Sequence, residues 1–128
     1  MFQAPRTHGT TEISGQLLGG TELIEWVRDE RGLELTHDES GVRLLEENID
    51  EWRHDPVLGP KLGNEAGLFL GGVLVNVIDG ARWVAWPNGH PVVRLVSGRE
   101  VDVTALVARR IIADPTSLLD VVDLARRG

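Results

Sequence analysis

The apolar positions of the chain follow two different periods. From Thr21 to Ile78 they return every three or four residues, which lines up one face of an α-helix. From Ala81 to Val103 they alternate, the mark of a β-strand with one buried face, and beyond Thr104 the helical period resumes. The pattern predicts helices, then a strand meander, then helices, which is the order of an α+β domain with helices packed on one face of a small antiparallel sheet.

The helix signals are local. Leu23, Ile24 and Val27 form an apolar stripe with Thr21 placed as N-cap and Gly32 where a left-handed C-terminal residue belongs. In "THDESGVRLLEENIDEWRHDP", Thr36 and Glu39 have capping-box spacing, Val42, Leu45, Ile49 and Trp52 mark the buried face, and Pro56 stops the helix. Glu46, Glu47, Asp50 and Glu51 are expected on its solvent side. A third helix is predicted from Pro60 to Ile78, with Gly80 just past its end. "TALVARRIIA" and "PTSLLDVVDLARR" complete the set, the last opened by Asp114 as N-cap and Pro115 at the first helical position. Residues 1–19 lack apolar periodicity and read as a flexible arm before a single α+β domain over 20–128.

The third helix carries an oddity. Gly63, Gly67 and Gly71 recur every four residues on one face of "KLGNEAGLFLGGVLVNVIDG". A membrane helix with such a seam needs about 20 apolar residues, and the apolar run from Ala66 to Val75 is bracketed by Glu65 and Asn76. A phosphate loop needs Lys-Ser/Thr after the glycines, or a strand before them, and neither is present. What remains is close packing: each interior glycine costs up to about 1 kcal/mol relative to alanine, so something bulky should lie against that face. Trp83, on the strand that follows, is the expected occupant.

The meander "ARWVAWPNGHPVVRLVSGREVDV" can be registered from its turns. "WPNGH" fits a type I turn with a glycine bulge, Pro87 and Asn88 central and Gly89 at positive φ, which pairs Trp86 with His90. Val84 then faces Val92 and Arg82 faces Arg94, while Trp83, Val93 and Leu95 share an apolar core side. A three-residue "SGR" loop would put Val101 and Val103 on the core side and Asp102 beside Arg94. The outer face becomes Arg82, Trp86, His90, Arg94 and Asp102. Opposed arginines imply a nearby anion: Asp102, another side chain or a ligand.

Composition narrows the function classes. The 128 residues carry 20 acidic and 13 basic side chains, a net charge of −7 that repels nucleic acid. There is no cysteine, hence no disulfide framework, thiolate nucleophile or cysteine zinc site. The N-terminus lacks the order of a signal peptide, so the expected location is cytoplasmic, with no membrane partner. No metal or cofactor is expected: Glu51 and His54 have the spacing of half a di-iron motif without the second half, and the four histidines lie in separate segments.

The block "GLFLGGVLVNVIDGARWVAWPNGHPVVRLVSGREVDVTALVARRI" resembles the central segment of a small family of uncharacterised actinobacterial proteins. There a glycine-rich helix, a tryptophan strand, a proline-containing turn and an arginine-bearing helix follow in this order. The resemblance implies an organism group, in line with 12 of the 13 basic residues being arginine, and it carries no activity and no site residues.

Three functions are open at this level. The first is a cytosolic, non-enzymatic interaction module, self-associating or protein-binding through the outer-face residues, since Trp and Arg are enriched at interface hot spots. The second is a small-molecule or anion-binding enzyme with a pocket between the glycine helix and the sheet, using Glu65, His90 or Asp102 as acid or base. The third is an acidic protective partner of a basic protein.

Overall fold

The computed structural model describes residues 11–12, 19–113 and 118–128. Its elements in chain order are β1 (Thr11–Glu12), α1 (Thr21–Arg31), α2 (Glu39–Trp52), a 3₁₀ turn (Gly59–Lys61), α3 (Leu62–Val77), β2 (Arg82–Ala85), β3 (Pro91–Arg94), β4 (Glu100–Val101), α4 (Val103–Ala113) and α5 (Leu118–Arg126). The expected α+β architecture is present, with the meander β2–β3–β4 between two sets of helices. β1 adds a fourth antiparallel strand on the free edge of β2, pairing Thr11 with Ala85 and Glu12 with Val84. Two residues carry no legible periodicity, so the sequence pattern gave no sign of it. The remainder of the arm, apart from Gly19, lies outside the described residues.

α3 is the central post. It touches α1, α2, α4, α5, β2 and β3, and Leu62, Ala66, Phe69, Leu70, Val73 and Leu74 are buried along it. A β-carbon on Gly67 would lie 2.5 Å from Thr104 Cα and 3.1 Å from its Cγ2. One on Gly71 would meet the Trp83 ring, with Cζ2 at 2.6 Å. Trp83 therefore does fill the glycine face, but only at Gly71. At Gly67 the occupant is the backbone of α4, and Gly63 faces Ala108 at an ordinary 3.7 Å. The groove takes a helix and an indole side by side.

Several helix ends are capped by residues from elsewhere. α1 begins after Gly20, left-handed at φ 74°, not at the expected cap Thr21. Glycine offers no side-chain acceptor, and the buried Glu65 of α3 supplies one: its Oε1 accepts from Leu23 N at 3.1 Å. Similarly Glu46 Oε2 accepts from Leu119 N at 3.0 Å in the first turn of α5, so Glu46 is a tie between helices and not a solvated acid. The cap residues expected for α5, Asp114 and Pro115, lie outside the described residues. Arg53 Nη2 donates to Ile111 O at the other end of α4. In α2 the expected capping box is displaced: Asp38 is the N-cap, accepting from Gly41 N at 3.0 Å, and Thr36 Oγ1 donates to that carboxylate. Asp38, with extended backbone, offers the first turn a charged acceptor, and Thr36 orients it.

The third predicted helix begins later than expected, because Gly59–Lys61 wind as a 3₁₀ turn before α3. The β2–β3 register is the expected one, with Arg82 opposite Arg94, Trp83 opposite Val93 and Val84 opposite Val92. The next turn differs. Leu95 N donates to Arg99 O, which makes Val96–Gly98 the loop and places Glu100, not Asp102, opposite Arg94. The slip is two residues, so side chains keep their faces. Val103 is buried as expected but opens α4 instead of continuing a strand. Val84 and Val92, on the outer face, are buried too.

Among the described residues no helix is long and apolar enough to cross a membrane. Gly67→Ala should lower unfolding stability by at least about 2 kcal/mol, because its methyl group meets backbone that cannot swing away. Gly63→Ala should leave stability unchanged or raise it by less than about 1 kcal/mol. Urea unfolding of the two variants beside the parent chain checks both, and equal losses would show that the glycine face is not graded in this way.

Candidate functional site

The turn between β2 and β3 places the outer-face residues. Trp86 N donates to His90 O at 2.9 Å and Gly89 N to Trp86 O at 2.7 Å, with Gly89 at φ 87°, as the glycine-bulge turn requires. Asn88 Oδ1 accepts from His90 N and stiffens the tip. Trp86 and His90 thus stand side by side, ring centroids 5.4 Å apart.

Each ring is held by an acid from the strand opposite or just beyond it. Glu100 Oε1 accepts from Trp86 Nε1 at 3.0 Å, while its Oε2 accepts from Arg94 Nε at 3.1 Å and Nη2 at 2.6 Å. Asp102 Oδ1 lies 2.7 Å from His90 Nε2. Asp102 also sits at the start of α4: its carbonyl accepts from Leu106 N, and its Oδ1 lies 3.4 Å from both Ala105 N and Thr104 Oγ1. Thr104 Oγ1 is in turn 3.4 Å from His90 Nε2. The same Thr104 presses its backbone on Gly67. The glycine groove therefore sets where α4 begins, and the start of α4 sets the His90 cluster.

Burial pushes the Asp102 carboxyl upward and is its largest single influence, but the bond to His90, the Ala105 amide and Thr104 together outweigh it. The net result lies below the ordinary carboxylate value. His90 and Asp102 side chains are each about one-third exposed, at 32% and 31%, and Arg94 and Glu100 one-quarter, so the cluster reaches the surface without standing out from it.

Of the expected outer-face residues, the structure brings Trp86, His90, Arg94 and Asp102 into one region of the meander. The anion implied by the opposed arginines is Glu100 for Arg94, correcting the expected Arg94–Asp102 pair. Arg82 Nη1 donates to Gly80 O at 3.3 Å. Glu100 escaped the sequence reading because the "SGR" loop was set one residue too late, which moves the strand partner of Arg94 by two. Charge pairing could not have found it, since either register sets an acid opposite Arg94, Asp102 in one and Glu100 in the other. Glu65 is not in this group. It lines a cleft of about 230 Å³ between the start of α1, α3 and the β2–β3 pair, and neither His90 nor Asp102 borders that space. Glu51 pairs with Arg31 and His54 bonds the Asp50 carbonyl. No group of three His, Cys, Asp or Glu among the described residues is arranged to hold a metal ion.

A family model matches residues 2–114. The chain belongs to a family of unknown function, DUF6278. Among curated proteins none matches it. A crystal structure from Bacteroides thetaiotaomicron VPI-5482, at 1.50 Å resolution, is similar over 91% of this chain, with a TM-score of 0.62 and 19% identity. The DUF6278 chain covers 51% of that protein, about half its length, and at this identity the likeness concerns the fold alone.

The sign of the Asp102 shift fixes a pH dependence. A depressed carboxyl contributes stability that is present above the unfolded value, near pH 4, and lost as pH falls through the lower folded value. Asp102→Asn keeps a capping side chain but loses the charge, so at pH 7 it should be less stable than the parent by on the order of 1 kcal/mol. The gap should narrow as pH drops below about 4. Denaturant unfolding at both pH values reads the difference, and a gap that does not change with pH would contradict the assignment.

Proposed function

We propose that this protein is a non-enzymatic binding module of the cytoplasm that docks a protein, first of all a second copy of itself, through the turn end of β2–β3. The supporting observation is the pre-set pair Trp86 and His90, with Trp86 held by Glu100 and His90 by Asp102. Aromatic anchors already fixed in place lose little rotamer freedom on binding, which is what makes such residues effective at interface centres.

The enzyme reading draws less support from the same geometry. Asp102 is engaged in starting α4 and holding His90, and Glu65 lies in a different place, bonded to the Leu23 amide. No two of the three candidates except His90 and Asp102 converge on one space. The acidic-partner reading also loses ground, because acids of α2 are engaged within the fold: Glu39 with Arg126, Glu46 with the Leu119 amide, Asp50 with Arg53 and Glu51 with Arg31. A cytoplasmic setting and an actinobacterial source rest on the sequence grounds given above.

Sedimentation velocity over a concentration series tests the proposal. The parent chain should self-associate, and Trp86→Ala with His90→Ala should weaken association at least about tenfold, with circular dichroism confirming an intact fold. If the parent chain stays monomeric, pull-downs should show a partner that the double variant fails to retain. Unchanged assembly and unchanged capture would refute this surface.

A further inference from the structure

Independently of the outer-face reading, we propose that the cleft beside α1 binds a cation: a primary ammonium or guanidinium group on a short apolar stem. The carrying residue is Glu65. It is only 7% exposed, its Oε1 accepts from Leu23 N, and among the described residues nothing donates to its Oε2, although the side chain lines the cleft. A carboxylate oxygen on the wall of a cleft, with no donor from the described residues, can accept one from a ligand. The first-turn amide of α1 nearest to it is already occupied by Oε1, so the helix terminus is not what an incoming ligand would meet.

The surroundings select the rest of the ligand. Leu68, Trp83 and Pro91 give apolar walls, Trp83 being only 3% exposed. Glu22 also lines the rim, but its carboxylate is already paired with Lys61, Nζ to Oε2 at 3.0 Å, so Glu65 is the acid left for a ligand. That carboxylate and a chain of net charge −7 repel anions and favour cations, and an aromatic wall suits a cationic head on an apolar body. At about 230 Å³ the space falls below the roughly 300 Å³ at which drug-sized pockets begin, so the stem is one ring or a few methylenes. Gly19 and Gly20, at φ 76° and 74°, pass close against α3 at this end: a β-carbon on Gly20 would lie 2.6 Å from Phe69 Cβ, so both contribute backbone only to the rim.

The test is a ¹⁵N-NMR titration of the full chain, following the Leu23 amide and the Trp83 indole N–H. Benzylamine and agmatine should give saturable shifts, benzyl alcohol should bind at least about tenfold more weakly, and benzoate should not bind. Glu65→Gln keeps a carbonyl for the Leu23 amide but removes the charge, and it should weaken benzylamine at least about tenfold. Tighter binding of a blocked Gly-Arg-Gly peptide than of agmatine would mean that the cation is presented by a protein; the reverse would mean a free small molecule. Equal binding of benzylamine and benzyl alcohol, no loss in Glu65→Gln, or no saturable shift with any cation would overturn the proposal. Should Glu65→Gln fail to fold, the comparison of cation, alcohol and acid on the parent chain decides alone.

Discussion

The close approach along the glycine face of α3 is the contact on which the rest of this structure depends. At Gly67 the backbone of α4 comes so near that even a methyl group would collide with Thr104, and at Gly71 the Trp83 ring occupies the space a side chain would take. Three helical glycines cost up to about 1 kcal/mol each relative to alanine, and the buried indole and interhelical contact offset that cost. Their consequence is geometric. Because α4 lies this close, Asp102 and Thr104 arrive at His90, and because Trp83 is drawn inward to Gly71, Trp86, three residues on and just past the end of β2, is presented outward to Glu100.

A second regularity is the use of acids as ties between elements. Glu65 of α3 serves the start of α1, Glu46 of α2 serves the start of α5, and Asp102 serves both α4 and His90. In each case a carboxylate meets amides at the positive end of a helix, where negative charge is stabilising. A chain with seven excess negative charges thereby engages several of them within the fold. Glu65 differs from the others in lining a cleft with apolar walls, and that difference separates a structural tie from a candidate site.

Much of the architecture was legible in the sequence because its signals are short-range. The turn at Pro87–Gly89 dictated the register of β2 and β3, and that register placed Trp83 inward and Trp86 outward. The glycine period announced a close neighbour, and Trp83 was the right one at Gly71. Thr104 at Gly67 was not legible, since nothing local says which distant helix will enter a groove. The caps failed for the same reason. Gly20 has no capping side chain of its own, and its substitute lies 45 positions away at Glu65. The second turn failed more narrowly: a two-residue shift preserves every face and sets an acid opposite Arg94 in either register, so neither hydrophobic patterning nor charge pairing can detect it. Of the candidate site, the members Trp86, His90, Arg94 and Asp102 were readable from alternation. Their partners were not, because ion pairing depends on the exact loop.

The central claim is that Trp83 and Gly71 are shaped to each other, and a double-mutant cycle measures that directly. Gly71→Ala, Trp83→Phe and the double variant would be unfolded in urea beside the parent chain. Phenylalanine removes the ring atoms that crowd Gly71, so the cost of Gly71→Ala should be at least about 1 kcal/mol smaller in the Trp83→Phe background than in the parent. The same cost in both backgrounds would mean that Trp83 does not fill the space the glycine leaves, and the account of the groove would be wrong.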